Sequence, residues 1–236
     1  MPSIADITVV LPTRNEARNI EPFLRSLPEC IPLVVVDRSD DETREIIGRL
    51  RPGLTKVLYC AGTLTEARQA GAQHATTPWL LFTDADVEFS ADYFGRLAAV
   101  PSCDAAYGAK LSQREYRRYY AWFMRGQQLV HSLGLPCASG SNLLVSAGAF
   151  EAVGGFDLGL TCNEDSELVW RIQARGYCCR FDPQLVVWAT DHRRLRRGLW
   201  VKTLHSLLRC VLLRTGWMPA GWRRHDWGYW TERPSK

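Results

Sequence analysis

Residues 79–86 read Trp-Leu-Leu-Phe-Thr-Asp-Ala-Asp, an apolar run that ends in two carboxylates. A near-continuous apolar stretch of this length fits a strand buried on both faces, as in a mostly parallel sheet covered by helices. Asp84 and Asp86 then stand at the strand's carboxyl end, where ligands sit in open α/β sheets. Two carboxylates so close repel one another unless a cation or donated hydrogen bonds stabilise them. A hard divalent ion does this, and Mg2+ commonly takes one or two carboxylates together with substrate phosphate oxygens. Taken alone, the tripeptide fits an acidic turn capping a helix at least as well. The units that precede it favour the first reading.

Working back from Trp79, β-branched and apolar runs alternate with helical patterns. ITVVL (7–11) leads to a helix over Ile20–Leu27, and LVVVD (33–37) to one over Glu42–Leu50. KVLYC (56–60) is followed by the helix TEARQAGAQHA (65–75). Ser39 with Glu42, and Thr63 with Glu66, have the spacing of capping boxes. The alternation predicts an α/β fold with a mostly parallel central sheet flanked by helices. Its polar punctuation collects at one sheet edge: Pro12, Thr13, Asn15 and Glu16 after the first strand, Asp37, Ser39 and Asp41 around the second, Asp84 and Asp86 after the fourth. The first turn, LPTRNEARN, has no glycine, which argues against a dinucleotide-binding Rossmann turn, and no Walker loop is present.

Charge divides the chain. Residues 1–190 hold 18 Lys/Arg against 22 Asp/Glu, whereas residues 191–236 hold 11 against 3. The expected organisation is a catalytic domain over 1–190 and a basic amphipathic helical extension over 191–236 that packs on the domain or on a membrane surface. Such an asymmetry suits a surface that meets phosphate. Eight cysteines are present without zinc-finger spacing, and MPSIADITVVLPT has neither a basic n-region nor a long apolar stretch. The expectation is a cytoplasmic protein, with any membrane contact made from one side.

A second acidic cluster, Asn163-Glu164-Asp165, opens the helical pattern SELVWRIQARG. Acids in a first turn are favoured by the helix dipole. A carboxylate without a metal can also accept a proton from an attacking hydroxyl, a role assigned to Asp165, with Glu164 beside it as an acceptor contact. Upstream, SGSNLLV reads as a strand preceded by small residues, then a helix near Gly148–Val153 and the turn GGFD.

In order along the chain, LPTRNEARNI, VVVDRSDDET, EARQAG, LLFTDAD, GSNLLVSAGAFEAVGGFD and NEDSELVWRIQARGY resemble glycosyltransferase family 2, over roughly residues 5–190. The resemblance implies a GT-A fold with a Rossmann-like nucleotide-binding half. It implies an inverting hexosyltransferase that moves a sugar from a nucleotide diphosphate, a UDP-sugar by family analogy, to an acceptor hydroxyl. The segment beginning Pro12 and Thr13, with Glu16, and the strand-end Asp37 would then hold nucleobase and ribose, and Arg68 would lie near the base or diphosphate. Asp84 and Asp86, as the DXD pair, would bind Mn2+ or Mg2+, and Asp165 would be the general base. His192, in ATDHRRLRRG, is a further metal or phosphate candidate, set against the commoner fate of a lone histidine as a hydrogen-bonded structural residue. Two departures stand out: the loop VDRSDDET is short and carries Arg38 where an acid or small polar residue is common, and the Gln-x-x-Arg-Trp pattern of chain-building members is absent. A single-transfer enzyme is expected.

For the acceptor side, Leu204, Leu207, Leu208, Val211 and Leu212 fall on one helical face, with Lys202 and Arg209 on others, and REYRRYYAWFMRGQQLVHSLGL has a similar mix. Both fit a membrane interface and a lipid acceptor, or simply packing on the sheet. No nucleic-acid module is present. The competing readings are a sugar-phosphate nucleotidyltransferase, which would want a Gly-rich basic loop after the first strand, and a silent protein that binds nucleotide sugar or membrane. A glycoside hydrolase would use two carboxylates with neither metal nor nucleotide.

Overall fold

β1 (Ile7–Thr13) is buried at every position, and β2 (Leu33–Asp37) likewise, because each has a neighbouring strand on both sides and helices over its faces. The computed structural model describes residues 3–196 and 198–225; the end of the expected extension, residues 226–236, and the side chain of Lys202 lie outside the described residues. Between these strands lie α1 (Ile20–Ser26), then α2 (Thr43–Leu50), β3 (Thr55–Tyr59), α3 (Leu64–Gln73) and β4 (Trp79–Thr83). The second half adds β5 (Val87–Phe89), α4 (Tyr93–Ala99), β6 (Ala105–Leu111), α5 (Arg117–Ser132), β7 (Asn142–Ser146), α6 (Ala147–Ala152), α7 (Glu164–Ala174) and β8 (Cys179–Ala189). α8 (Arg193–Arg196), α9 (Leu199–Thr215) and α10 (Ala220–Arg223) follow.

The eight strands among the described residues join one sheet in the order β3-β2-β1-β4-β7-β6-β8-β5. β3, β2, β1 and β4 run parallel, as the near-continuous apolar runs predict. β7 then pairs antiparallel with both β4 and β6, while β6 and β8 pair parallel. This reversal positions the site. Thr83 at the end of β4 faces Asn142 at the start of β7, so the residues just before β7 arrive beside Asp84. One apolar core lies under α1 and α4, with Phe23, Leu97 and Val35, and another under α6 and α7, with Phe82, Phe150 and Ile172.

Two local expectations come out differently. Thr63 and Glu66 form the reciprocal capping box at the start of α3. Ser39 does not cap α2; its hydroxyl donates to Asp37 Oδ1 at 2.6 Å and its oxygen accepts from the Asn15 amide at 2.9 Å, so the acceptor that a cap would use is taken by the loop after β1. β3 is an edge strand rather than a fully buried one, and Tyr59 is exposed.

The larger surprise is α9, whose polar side faces inward. Arg209 is 0% exposed and donates to Asn163 Oδ1 at 3.1 Å and to the carbonyls of Cys162, at 3.2 Å, and Trp222. The opposite stripe faces out: Leu204 is 70% exposed, Leu207 55% and Val211 58%, with Trp217 at 80% beyond the helix end. Packing of that stripe on the sheet is therefore not what happens. No helix among the described residues is long and apolar enough to cross a membrane.

Candidate active site

The site is built at the edge where β1, β2, β4 and β6 end and β7 begins. At one end Asp37 is fully buried. Its Oδ1 accepts from Thr13 Oγ1 and Ser39 Oγ, each at 2.6 Å, and its Oδ2 from the Ser39 amide at 3.1 Å and from Arg44. Burial alone would raise its pKa, but the hydrogen bonds from Ser39, Thr13 and Arg44 outweigh it and hold the carboxyl below the usual range. Asn15, in a left-handed conformation, ties this end together: its amide donates to Ser39 Oγ at 2.9 Å and its Oδ1 accepts from the Asp40 amide at 2.9 Å. Pro12 lies within β1 beside Val36.

Glu16, on the same loop, is held by Asn19 at 2.6 Å and Arg193 at 2.6 Å, and burial raises its pKa. Arg193 also pairs with Asp191. The neighbouring His192 is buried, with Nδ1 at 3.3 Å from Tyr120 Oη and Nε2 at 3.4 Å from Ser112 Oγ, among the rings of Tyr116 and Tyr120.

The centre is organised by Arg68 of α3, only 3% exposed at its side chain. One terminal nitrogen donates to Asp84 Oδ1 at 2.6 Å and the other pairs with Glu164. The guanidinium fits because residue 140 is glycine: a Cβ there would fall 2.3–2.5 Å from it. Gly140 has a second task, its amide donating to Asp165 Oδ2 at 2.7 Å, while the Ser166 amide donates to Oδ1 at 2.7 Å. The next residue, Ser141, donates to Asp84 Oδ2 at 2.7 Å. Lys110 Nζ lies 3.1 Å from Asp86 Oδ1. The two acidic clusters, 80 residues apart in the chain, thus form one group bridged by Arg68 and by the turn before β7.

Burial dominates the electrostatics. It pushes the Glu164 carboxyl up to about 7 against the pull of Arg68, and raises Asp165 as well, with the negative charge of Asp84 acting in the same direction on both. Arg68 is driven the other way, further toward its charged form, because the charges of Asp84, Glu164 and Asp165 outweigh its desolvation.

Of the residues expected from sequence, Asp84, Arg68, Glu164 and Asp165 come together, with Asp86 beside them; Thr13 and Asp37 form an adjoining unit. His192 makes its polar contacts with Ser112 and Tyr120. Lys110, Gly140, Ser141, Arg44 and Arg193 were not singled out. Gly140 and Ser141 carried a signal, the small residues ahead of NLLV, whereas Lys110 in AAYGAKL and Arg44 look like ordinary residues until the strands are ordered.

The donor set can be tested for a metal. No three His, Cys, Asp or Glu side chains among the described residues group closely enough to hold one. Asp84 and Asp86 provide two carboxylates at a strand end. That number fits a hard divalent ion whose remaining ligands come from diphosphate oxygens and water, and does not fit an ion caged by protein alone.

A family model described as glycosyl transferase family 2 matches residues 8–154, from β1 to the turn after α6. The chain belongs to that family. The family-2 match contains Asp37, Arg68, Asp84 and Asp86; Glu164 and Asp165 lie beyond it. Succinoglycan biosynthesis protein ExoA of Rhizobium meliloti is 28% identical over 207 residues, 78% of this chain and 60% of that protein. Pre-mycofactocin glycosyltransferase of Mycobacterium tuberculosis is 27% identical over 85% of this chain and 45% of its own length. The chain therefore spans about half the length of these curated relatives. In fold, it matches the mannosyltransferase PcManGT from Pyrobaculum calidifontis, solved with GDP-Man and Mn2+, with a TM-score of 0.71 at 22% identity, covering 92% of this chain and 67% of that one. S. aureus TarS 1–349 with UDP-GlcNAc gives a TM-score of 0.62 at 17% identity, over 79% and 59%. The family-2 chain has the GT-A fold.

Proposed function

We propose that this chain is an inverting glycosyltransferase that takes a sugar from a nucleoside diphosphate and passes it to an acceptor hydroxyl. One observation carries the reading: Asp84 and Asp165 meet around Arg68 and Gly140, so a group suited to a diphosphate and a group suited to a proton share one edge. The family membership and the nucleotide-sugar complexes of the fold neighbours support it.

As the sugar leaves, negative charge builds on the diphosphate, and preorganised positive charge there lowers the barrier. Asp84 and Asp86 would hold a Mn2+ or Mg2+ there, and it would supply that charge. Arg68 positions both clusters, since it fixes Asp84 with one nitrogen and Glu164 with the other. Asp165 accepts the acceptor's proton. Two backbone amides orient its carboxylate, and its raised pKa makes it a stronger base than a solvated aspartate. Glu164, buried against Arg68, acts in this reading as a positioning residue more than as an acceptor contact. Pro12, Thr13, Glu16 and Asp37 form the nucleotide end, with uridine the expected base from the family resemblance. We give His192 a supporting place among Tyr116, Tyr120 and Ser112 rather than a ligand's role.

The acceptor in this reading is presented at a membrane surface, on the cytoplasmic face. The outward leucines of α9, with Arg214 at its end and Trp217 just past it, have the layout of a helix lying in a lipid interface. Tryptophan suits the headgroup boundary and arginine the phosphates.

The test is a panel of UDP- and GDP-sugars incubated with purified protein, with nucleoside diphosphate release measured with Mn2+ and with chelator. Metal-dependent release from a UDP-sugar is expected. Pyrophosphate release from a sugar 1-phosphate and a nucleoside triphosphate would replace the reading with a nucleotidyltransferase. Calorimetric binding without turnover of any donor, in the presence of lipid extract as acceptor, would leave a silent binding protein.

A further inference from the structure

Lys110 is the last but one residue of β6, two strands from β4, with β7 between them. Its side chain reaches across the start of β7, placing Nζ 3.1 Å from Asp86 Oδ1 and 3.4 Å from Ser141 Oγ. Ser141 in turn donates to Asp84 Oδ2 at 2.7 Å, and Arg68 donates to Asp84 Oδ1 at 2.6 Å. Each acid of the strand-end pair is therefore already matched by a cation of the protein. The two cations differ in kind. Arg68 is locked between two carboxylates at 3% exposure, whereas Lys110 has a flexible four-carbon stem and a side chain 16% exposed.

From this we infer that Lys110 is the standing counter-ion of Asp86 and makes metal binding contingent on the diphosphate. The inference rests on the metal reading above and adds a regulation of that site. A divalent ion that approaches Asp86 alone meets a carboxylate already neutralised, and must displace the ammonium against mutual repulsion. An arriving diphosphate changes the balance in two ways: it brings the oxygens that complete the metal's shell, and it gives the displaced ammonium a new anion. Metal and nucleotide then strengthen each other's binding by the same factor, as linkage requires. The protein holds little free Mn2+ and assembles the charged site only when a donor is present.

The experiment measures Mn2+ binding to the full chain, by the paramagnetic resonance signal of free Mn2+, in the absence of nucleotide and with UDP or GDP. Wild type should bind Mn2+ weakly alone and much more tightly with one of the nucleotides. Lys110→Met should bind Mn2+ alone at least about tenfold more tightly, the effect of removing one charge-assisted contact, and should depend less on nucleotide. Lys110→Arg should behave as wild type, which shows that the loss of charge rather than a packing defect is responsible. Adding Asp86→Asn to Lys110→Met should abolish the gain. Equal nucleotide-free affinities in wild type and Lys110→Met overturn the role of Lys110 while leaving the metal reading intact. If no protein binds Mn2+ even with either nucleotide, the metal reading falls and this inference with it.

Discussion

Replacing Arg68 with methionine removes the cation that Asp84 and Glu164 share. The guanidinium is almost wholly buried, with one nitrogen 2.6 Å from Asp84 and the other on Glu164, itself 4% exposed at the side chain. Removing one partner of a buried pair typically costs about 3–5 kcal/mol, because the other charge stays behind unpaired. Glu164 has an escape, since burial already pushes its pKa up to about 7; without Arg68 it climbs further and the group holds a proton at neutral pH. The lower end, about 3 kcal/mol, is therefore expected near pH 8, and less near pH 6. At about 2–4 °C per kcal/mol for a chain of this size, the melting temperature should fall by roughly 6–12 °C at pH 8. Adding Glu164→Gln removes the stranded charge and should restore about 1–2 kcal/mol, read as a coupling energy in a double-mutant cycle by urea unfolding. A fall of less than about 2 °C, or no recovery in the double variant, would refute the account of Arg68 as the bridge.

Asp86→Ala should remove the Mn2+-dependent part of donor binding in calorimetry; unchanged metal dependence would separate Asp86 from the metal. Asp165→Asn should leave donor affinity within about twofold but lower transfer by about 10^2–10^4, the usual weight of a general base, and normal turnover would end that assignment. Because burial raises Asp165 and the ionised form is the base, activity should fall on the acid side along a limb above the ordinary aspartate range, visible in a pH profile of kcat/KM. Glu164 works in the opposite sense on stability. The folded protein holds its proton more tightly than the unfolded chain, so between the ordinary 4.5 and about 7 its contribution declines as pH rises, measurable by melting across that window. Leu204→Ser with Leu208→Ser should weaken binding to anionic phospholipid vesicles at least about tenfold, from the apolar area removed, with little change in melting temperature because both side chains face outward; a large loss of stability would instead show that this face is packed.

β1, β2 and β4 are legible because burial on both faces leaves a direct mark: uninterrupted apolar runs that end in polar residues. ITVVLPT and WLLFT show that mark, and with it the edge where Asp37, Asp84 and Asp86 emerge. β7 and Lys110 are not legible in this way. Strand direction depends on which neighbour a strand pairs with, and that pairing joins residues far apart, so nothing local to NLLVS marks it as the reversed strand. The Ser39–Glu42 spacing failed for a related reason: the amide that Ser39 Oγ accepts from belongs to Asn15 and meets it only once the loop after β1 lies beside the end of β2. α9 shows the limit of periodicity. The leucine stripe was read correctly as a face, but its orientation was decided by Arg209, whose guanidinium finds three oxygens around Asn163 and α10 that no spacing rule foretells.

The turn ahead of β7 also separates what must stay from what is free to vary. Cys137 is held through its backbone by Tyr107 and Gln127, and Pro136 by Trp170, so the approach to Gly140 is anchored from three elements. Just upstream, Leu133 and Leu135 project into solvent from the connection between α5 and β7. Extra residues inserted there should therefore leave the strands and the paired acids where they are, so chain length is tolerant at this stretch and constrained a few residues later at Gly140.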